Sequence, residues 1–92
     1  MVLPARTAVL NQLNKDNCLS VDEIMQKLQP DYGTEGQFTK DMFTEHCMAL
    51  EANGMVEMAG YDLDDDGELN IQFRITDDGR HTVKKYVSKQ YQ

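Results

Sequence analysis

The sequence has no run of about 18 apolar residues, the length a helix needs to cross a bilayer, so no membrane span is expected. Its first residues, MVLPARTAVLNQL, have no basic stretch followed by a long apolar one. No signal peptide is therefore expected, and the expected location is the cytoplasm. Cysteine is scarce: Cys18 and Cys47 lie far apart and in no CxxC arrangement. Buried thiols in a reducing compartment are expected, rather than a disulfide or a metal pair. No Ser/His/Asp or Cys/His set has motif spacing, and no glycine-rich loop is built to cradle phosphate. Neither an enzyme nor a cofactor is expected. His46, Cys47 and His81 have no spacing that brings them together around a metal, and are read as ordinary core or surface residues. Internal repeats and low-complexity linkers are also absent, so residues 1–92 form one domain. A chain this short buries roughly 60–65% of its extended surface, enough for one core but not for a roomy enclosed site.

Basic residues are scarce in the middle of the chain. The net charge is −7, and between residues 54 and 70 Glu57, Asp62, Asp64, Asp65, Asp66 and Glu68 face no Lys or Arg. The end of the chain is the reverse, with Arg74, Arg80, Lys84, Lys85 and Lys89 against Asp77 and Asp78. Such asymmetry bears on partners more than on fold.

Within the acidic stretch, DLDDDGELNIQF begins like an EF-hand calcium loop, with Asp62, Asp64, Asp66 and Gly67 in place. That loop needs a bidentate Glu at its twelfth position, where this chain has Phe73. It also needs flanking helices, and GMVEMAGY reads as extended. A hairpin tip is the better reading, because Asp and Gly tolerate the positive φ of tight turns.

The remaining pattern is readable in order. Pro4 suits a helix start, and Ala5, Val9, Leu10 and Leu13 follow at helical spacing up to a polar turn from Asn14 to Asn17. Ser20 and Glu23 form a capping box, with Leu19 and Ile24 placed as a hydrophobic staple. Val21, Ile24, Met25 and Leu28 form the apolar face of a second helix, and Pro30 is expected to stop it. Thr39 caps a third helix, with Phe43, Cys47 and Leu50 on its inner stripe and Asn53-Gly54 as its stop. The period then changes from 3.6 to 2. Leu69, Ile71, Phe73 and Ile75 alternate with polar residues as a one-sided strand, and Val56 and Met58 mark its partner. Thr76 caps a last helix with Val83, Tyr86 and Val87 inward. Its Arg80/Lys84 and Lys85/Lys89 pairs are either a solvated face, or a phosphate-contacting patch or contact for an acidic partner. The methionines Met42, Met48, Met55 and Met58 are read mainly as core filling, with Met48 on the exposed side.

Three helices, a two-stranded hairpin and a C-terminal helix make an α+β winged-helix order. The stretches LEANGMVE and FRITDDGRHTVKKY resemble the corresponding part of MarR- and PadR-like regulators, where a helix ends in Gly, two wing strands follow, and Thr with an acidic turn leads into Gly-Arg and a final helix. The resemblance spans residues 5–90. It implies a DNA-binding regulator, and a homodimer paired through terminal helices. It also implies a third helix that enters the major groove from Thr39, Lys40 and Thr44. Arg74, Lys84 and Lys85 would supply phosphate contacts.

The charges point to a second reading. The wing carries Asp62, Asp64, Asp65, Asp66 and Glu68 where DNA affinity calls for Lys and Arg. The loop QPDYGTEGQ is longer than the about 3–4 residues of a tight helix-turn-helix. Those five acids are equally the surface of a protein-interaction module for a basic partner, or a nucleic-acid mimic. With no bidentate ligand at the twelfth position, calcium binding is expected to be no tighter than millimolar. Calorimetric titration tests this, and one-to-one micromolar binding would refute it.

Overall fold

The computed structural model describes residues 2–34 and 36–92. Among these, the chain forms α1 (Ala5–Asp16), β1 (Cys18–Ser20), α2 (Val21–Tyr32), α3 (Lys40–Ala52), β2 (Val56–Leu63), β3 (Leu69–Ile75) and α4 (Asp77–Tyr86). The fold is α+β, with four helices and one antiparallel sheet of three strands in the order β1-β3-β2. No helix among the described residues is long and apolar enough to cross a membrane.

The helix starts follow from local chemistry. Ser20 Oγ accepts from the Glu23 N–H at 3.1 Å, and Glu23 Oε1 accepts from the Ser20 N–H at 2.9 Å, which closes the capping box. Thr39 accepts from the Met42 N–H, and Thr76 from the Gly79 N–H. Asn17, at φ 71°, turns the chain out of α1, and Gly54, at φ 76°, turns it out of α3.

Several details differ from the sequence reading. Pro30 does not stop α2, which continues through Tyr32. Proline removes one N–H from the last turn, but Tyr32 is buried and its hydroxyl donates to the Leu3 carbonyl, so tertiary packing outweighs the local penalty. The sheet has a third strand, β1, paired through Leu19↔Phe73 and its neighbours. Three residues, the last of them the helix cap Ser20, are too few to show a period of two. Helix α1 extends through Asp16, into the expected polar turn. Helix α4 ends at Tyr86, so Lys85 and Lys89 do not form a helical pair, and Tyr86 points outward at 73% exposure.

α1 packs on α2, α3, α4 and β3, and the core gathers Val9, Leu13, Val21, Ile24, Phe43, Cys47, Phe73 and Val83. Met42 and Met55 pack against this core, whereas Met48 and Met58 are exposed. Along β3, burial fades toward the hairpin tip: Phe73 and Ile75 are buried, Ile71 is half-buried, and Leu69 is 52% exposed. The sheet is longer than the helical layer beneath it.

The far end of the sheet is locked to α4. Thr76 donates its N–H to the Met55 carbonyl at 3.0 Å and its hydroxyl to the Gly54 carbonyl at 2.6 Å. Gly79 is buried against this crossing, and a Cβ there would meet the Met55 oxygen at 2.1 Å. Gly79→Ala is therefore expected to lower stability by about 1–3 kcal/mol through overpacking. Gly36→Ala, with nothing within 4 Å of its would-be Cβ, is expected to be near neutral. Urea denaturation midpoints of the two variants check the contrast.

Candidate interaction surface

The start of α3 is where the resemblance places base-reading residues, and Lys40 is its one basic side chain. Lys40 Nζ lies 2.6 Å from Asp64 Oδ2 at the hairpin tip and 3.2 Å from Asp22 Oδ1 at the start of α2. Burial alone pulls the Lys40 ammonium down, but the hydrogen bonds and charges of Asp64 and Asp22 together outweigh it and raise its pKa. Asp64 is held below the usual aspartate range, first by the Lys40 hydrogen bond and then by the Glu68 N–H. Its Oδ1 accepts from the Asp66 N–H at 3.0 Å and the Glu68 N–H at 2.9 Å. With Gly67 at φ 79° and its N–H bonded to the Asp64 carbonyl, Asp64 organises the whole turn. The Asp22 N–H also donates to Asn70 Oδ1 at 3.2 Å, so β3 is tied to α2 beside the clasp.

This clasp joins residues from both readings. Lys40, expected on DNA, and Asp64, expected on a basic partner, neutralise one another, and Asp22 completes the set. Nothing in the spacing of Asp22, Lys40 and Asp64 signals the meeting. The other ionisable side chains on α3's exposed surface are Asp41, Glu45 and Glu51. Thr39 is exposed but spends its hydroxyl on the cap, and Thr44 is half-buried.

The other candidate cations do not converge with Lys40. Arg74 pairs in register with Glu57 and Cys18, on the sheet face opposite Phe73, and its guanidinium lies 3.5 Å from Glu57. Lys84 and Lys85 are exposed on α4, which follows the end of β3 remote from the tip. The length of β3 alone separates these ends by roughly 20 Å. Arg80 is structural: it donates to Asn17 Oδ1 at 2.5 Å and to Asn14 Oδ1 at 3.3 Å, binding α4 to the end of α1.

The acids Asp62, Asp65, Asp66 and Glu68 are exposed around the tip. The sequence reading missed what lies between them. Tyr61 pairs with Ile71 and Leu63 with Leu69, on the same sheet face as Phe73. Beyond the helices this face is open: Met58 is 51% exposed, Tyr61 77% and Leu63 69%. A shallow apolar cleft of about 440 Å³ lies over Met58, Tyr61, Leu69 and Ile71. A second cleft of about 560 Å³ lies between Lys40, Asp41 and Thr44 of α3 and Glu68, Leu69 and Ile71 of the hairpin. Leu69 and Ile71 line both, which makes one trough with an apolar floor and an acidic rim. A signal did exist: Tyr61, Leu63 and Leu69 alternate with acids about the turn. Only Leu69 counts in the sequence as part of a one-sided strand, and Leu63 falls within the acidic tip; period alone does not say how far the helices extend.

Burial pushes the Cys47 thiol up to about 12, leaving it protonated and unreactive at neutral pH. His46 is held below its usual value by burial and by Arg6, whose Nε donates to its Nδ1 at 3.3 Å. His81 is exposed on α4. A scan against protein-family models, a search of curated proteins and a search of solved structures each return no match.

Asp64's depressed pKa sets the sign of a test. Its contribution is present above the ordinary aspartate value of 3.8 and is lost as pH falls through its lower, folded value. Lys40→Ala removes the same tie at neutral pH. Both treatments are expected to reduce hydrogen-exchange protection at the Asp66 and Glu68 amides, with Lys40→Ala leaving that at Phe43 and Cys47 intact. Unchanged tip protection in Lys40→Ala would show that the clasp does not hold the hairpin.

Proposed function

We propose that this chain is a winged-helix module that binds another protein through its hairpin rather than DNA through α3. The order of three helices, hairpin and helix supports the winged-helix reading. The single observation that carries the functional choice is the clasp: the one basic side chain of α3 is held by two carboxylates. DNA affinity comes largely from Lys and Arg neutralising phosphates. A helix with its only cation already paired, beside a hairpin of exposed acids, presents the wrong sign to a duplex. The same surface attracts a basic protein, speeds its association, and discriminates against acidic competitors.

The DNA reading retains Arg74, Lys84 and Lys85, which are exposed but scattered. Titration of a labelled mixed-sequence duplex at low and at higher salt separates the two. The expected result at physiological salt is binding no tighter than the nonspecific range of roughly 10⁻⁴–10⁻⁶ M. Submicromolar, salt-steep binding that Lys84→Ala and Lys85→Ala weaken would overturn the protein-binding reading. Affinity capture from source cells gives the complementary arm. The triple variant Asp62→Asn, Asp65→Asn, Asp66→Asn, which leaves Asp64 in its clasp, is expected to lose a partner that the unaltered chain retains.

A further inference from the structure

We propose that the trough between the hairpin and the start of α3 holds a basic amphipathic helix of the partner, its apolar side chains on Tyr61, Leu69 and Ile71 and its Lys or Arg on the acidic rim. This rests on the protein-binding reading above and names the chemistry and shape of what is bound.

Four observations lead there. The floor is apolar and open, with Met58, Tyr61, Leu63 and Leu69 each more than half exposed on one face. Large apolar side chains grouped on one surface and rimmed by polar residues mark an interaction site. The rim has one sign: Asp41 on α3 and Glu68 on the hairpin line it, and Asp65 and Asp66 are exposed at the turn that follows Leu63. Among the described residues the one cation that lines it, Lys40, is already engaged by Asp22 and Asp64. Charge complementarity therefore selects a basic occupant.

Geometry selects a helix. Addition of a strand to the outer edge of β2 would meet the register shift between Met58 and Gly60 and the charges of Glu57 and Asp62. A bulge and edge charges are the devices that discourage such pairing. The face from Met58 to Leu63 runs roughly 17 Å at about 3.3 Å per residue. Three helical turns rise about 16 Å, so a helix of that length matches it with anchors at i, i+4 and i+7.

A second copy of this chain is a poor occupant. Two hairpins would bring their acids face to face. The basic helix α4 has Val83, and Val87 just after it, buried on its own core, so it offers Lys84 and Lys85 without an apolar stripe.

The probe is a labelled synthetic lysine–leucine peptide patterned as a helix of about three to four turns. Its controls are a scrambled peptide of the same composition and a glutamate–leucine peptide. Fluorescence anisotropy against the full chain is expected to show binding of the amphipathic basic peptide only. Tyr61→Ser with Leu69→Ser is expected to weaken it on the order of tenfold or more, as for loss of central anchors. Asp41→Asn with Glu68→Gln is expected to weaken it less and to flatten its salt dependence. Thermal melts check that substitutions at these exposed positions leave the fold intact.

Equal binding of the scrambled peptide, or equal affinity in the Tyr61/Leu69 variant, would reduce the trough to a general charge attraction and sink the proposal. So would a concentration-dependent dimer, by sedimentation, that the Tyr61/Leu69 variant abolishes. Failure of all three peptides, while the acid triple variant still loses a captured protein, sinks the helix and leaves the protein-binding reading standing. Tight duplex binding through Lys84 and Lys85 sinks both.

Discussion

The antiparallel pairing of β3 along both of its edges joins two parts of the chain that are remote in sequence. β1, between α1 and α2, lies on one side of it, and β2, after α3, lies on the other. Through Phe73 and Ile75 the same strand supplies the sheet's main contribution to the core. Its last residue leads directly into the Thr76 cap, so the position of α4 follows from that of β3. Because β3 continues past the helical layer, the other end of this one strand is committed to solvent. Half-exposed Leu69 and Ile71 are the cost of that overhang, and in a domain this small such apolar exposure calls for a use.

The overhang would be a loose arm without the clasp. A free two-stranded hairpin is marginal in water, since few of its contacts repay the entropy of ordering it. Here Asp64 spends one carboxylate oxygen on two backbone N–H groups of the turn and the other on Lys40, while Asn70 takes the Asp22 N–H. The tip is thereby held over the starts of α2 and α3. The arrangement also removes the cation that a DNA-reading helix would use, and among the described residues the exposed acids Asp62, Asp65, Asp66 and Glu68 form no ion pair. One set of contacts thus fixes the geometry of the hairpin and the sign of the surface around it.

Much of the fold was legible because its signals are local. Ser20 and Glu23, Thr39 and Thr76 cap their helices through groups three residues away, and the stripe of Phe43, Cys47 and Leu50 is a property of one helix. The hairpin tip was legible from Asp and Gly alone. Pro30 misled because its penalty, large in a helix interior, falls here on the last turn of α2, where the burial of Tyr32 two residues later offsets it. β1 was invisible because its pairing partner lies more than fifty residues on, through Leu19↔Phe73. Of the candidate site residues, Thr39, Lys40 and Thr44 do gather at the start of α3, whereas Arg74 and the lysines of α4 lie elsewhere.

By itself the sequence determined the helix boundaries set by caps, the change of period from helix to strand, and an acidic hairpin followed by a basic helix. These depend on neighbours within a turn or a strand, where chain connectivity already fixes who meets whom. Tertiary structure alone decided which charges are paired and which apolar residues stay wet. Lys40 finds Asp22 and Asp64 at separations of 18 and 24 residues, and only the path of the chain through two loops brings them together. Tyr61 and Leu69 carry the same alternating pattern as residues of the core, but the helices end before reaching them. Periodicity defines a face. What covers that face is set by the length of the layer packed against it.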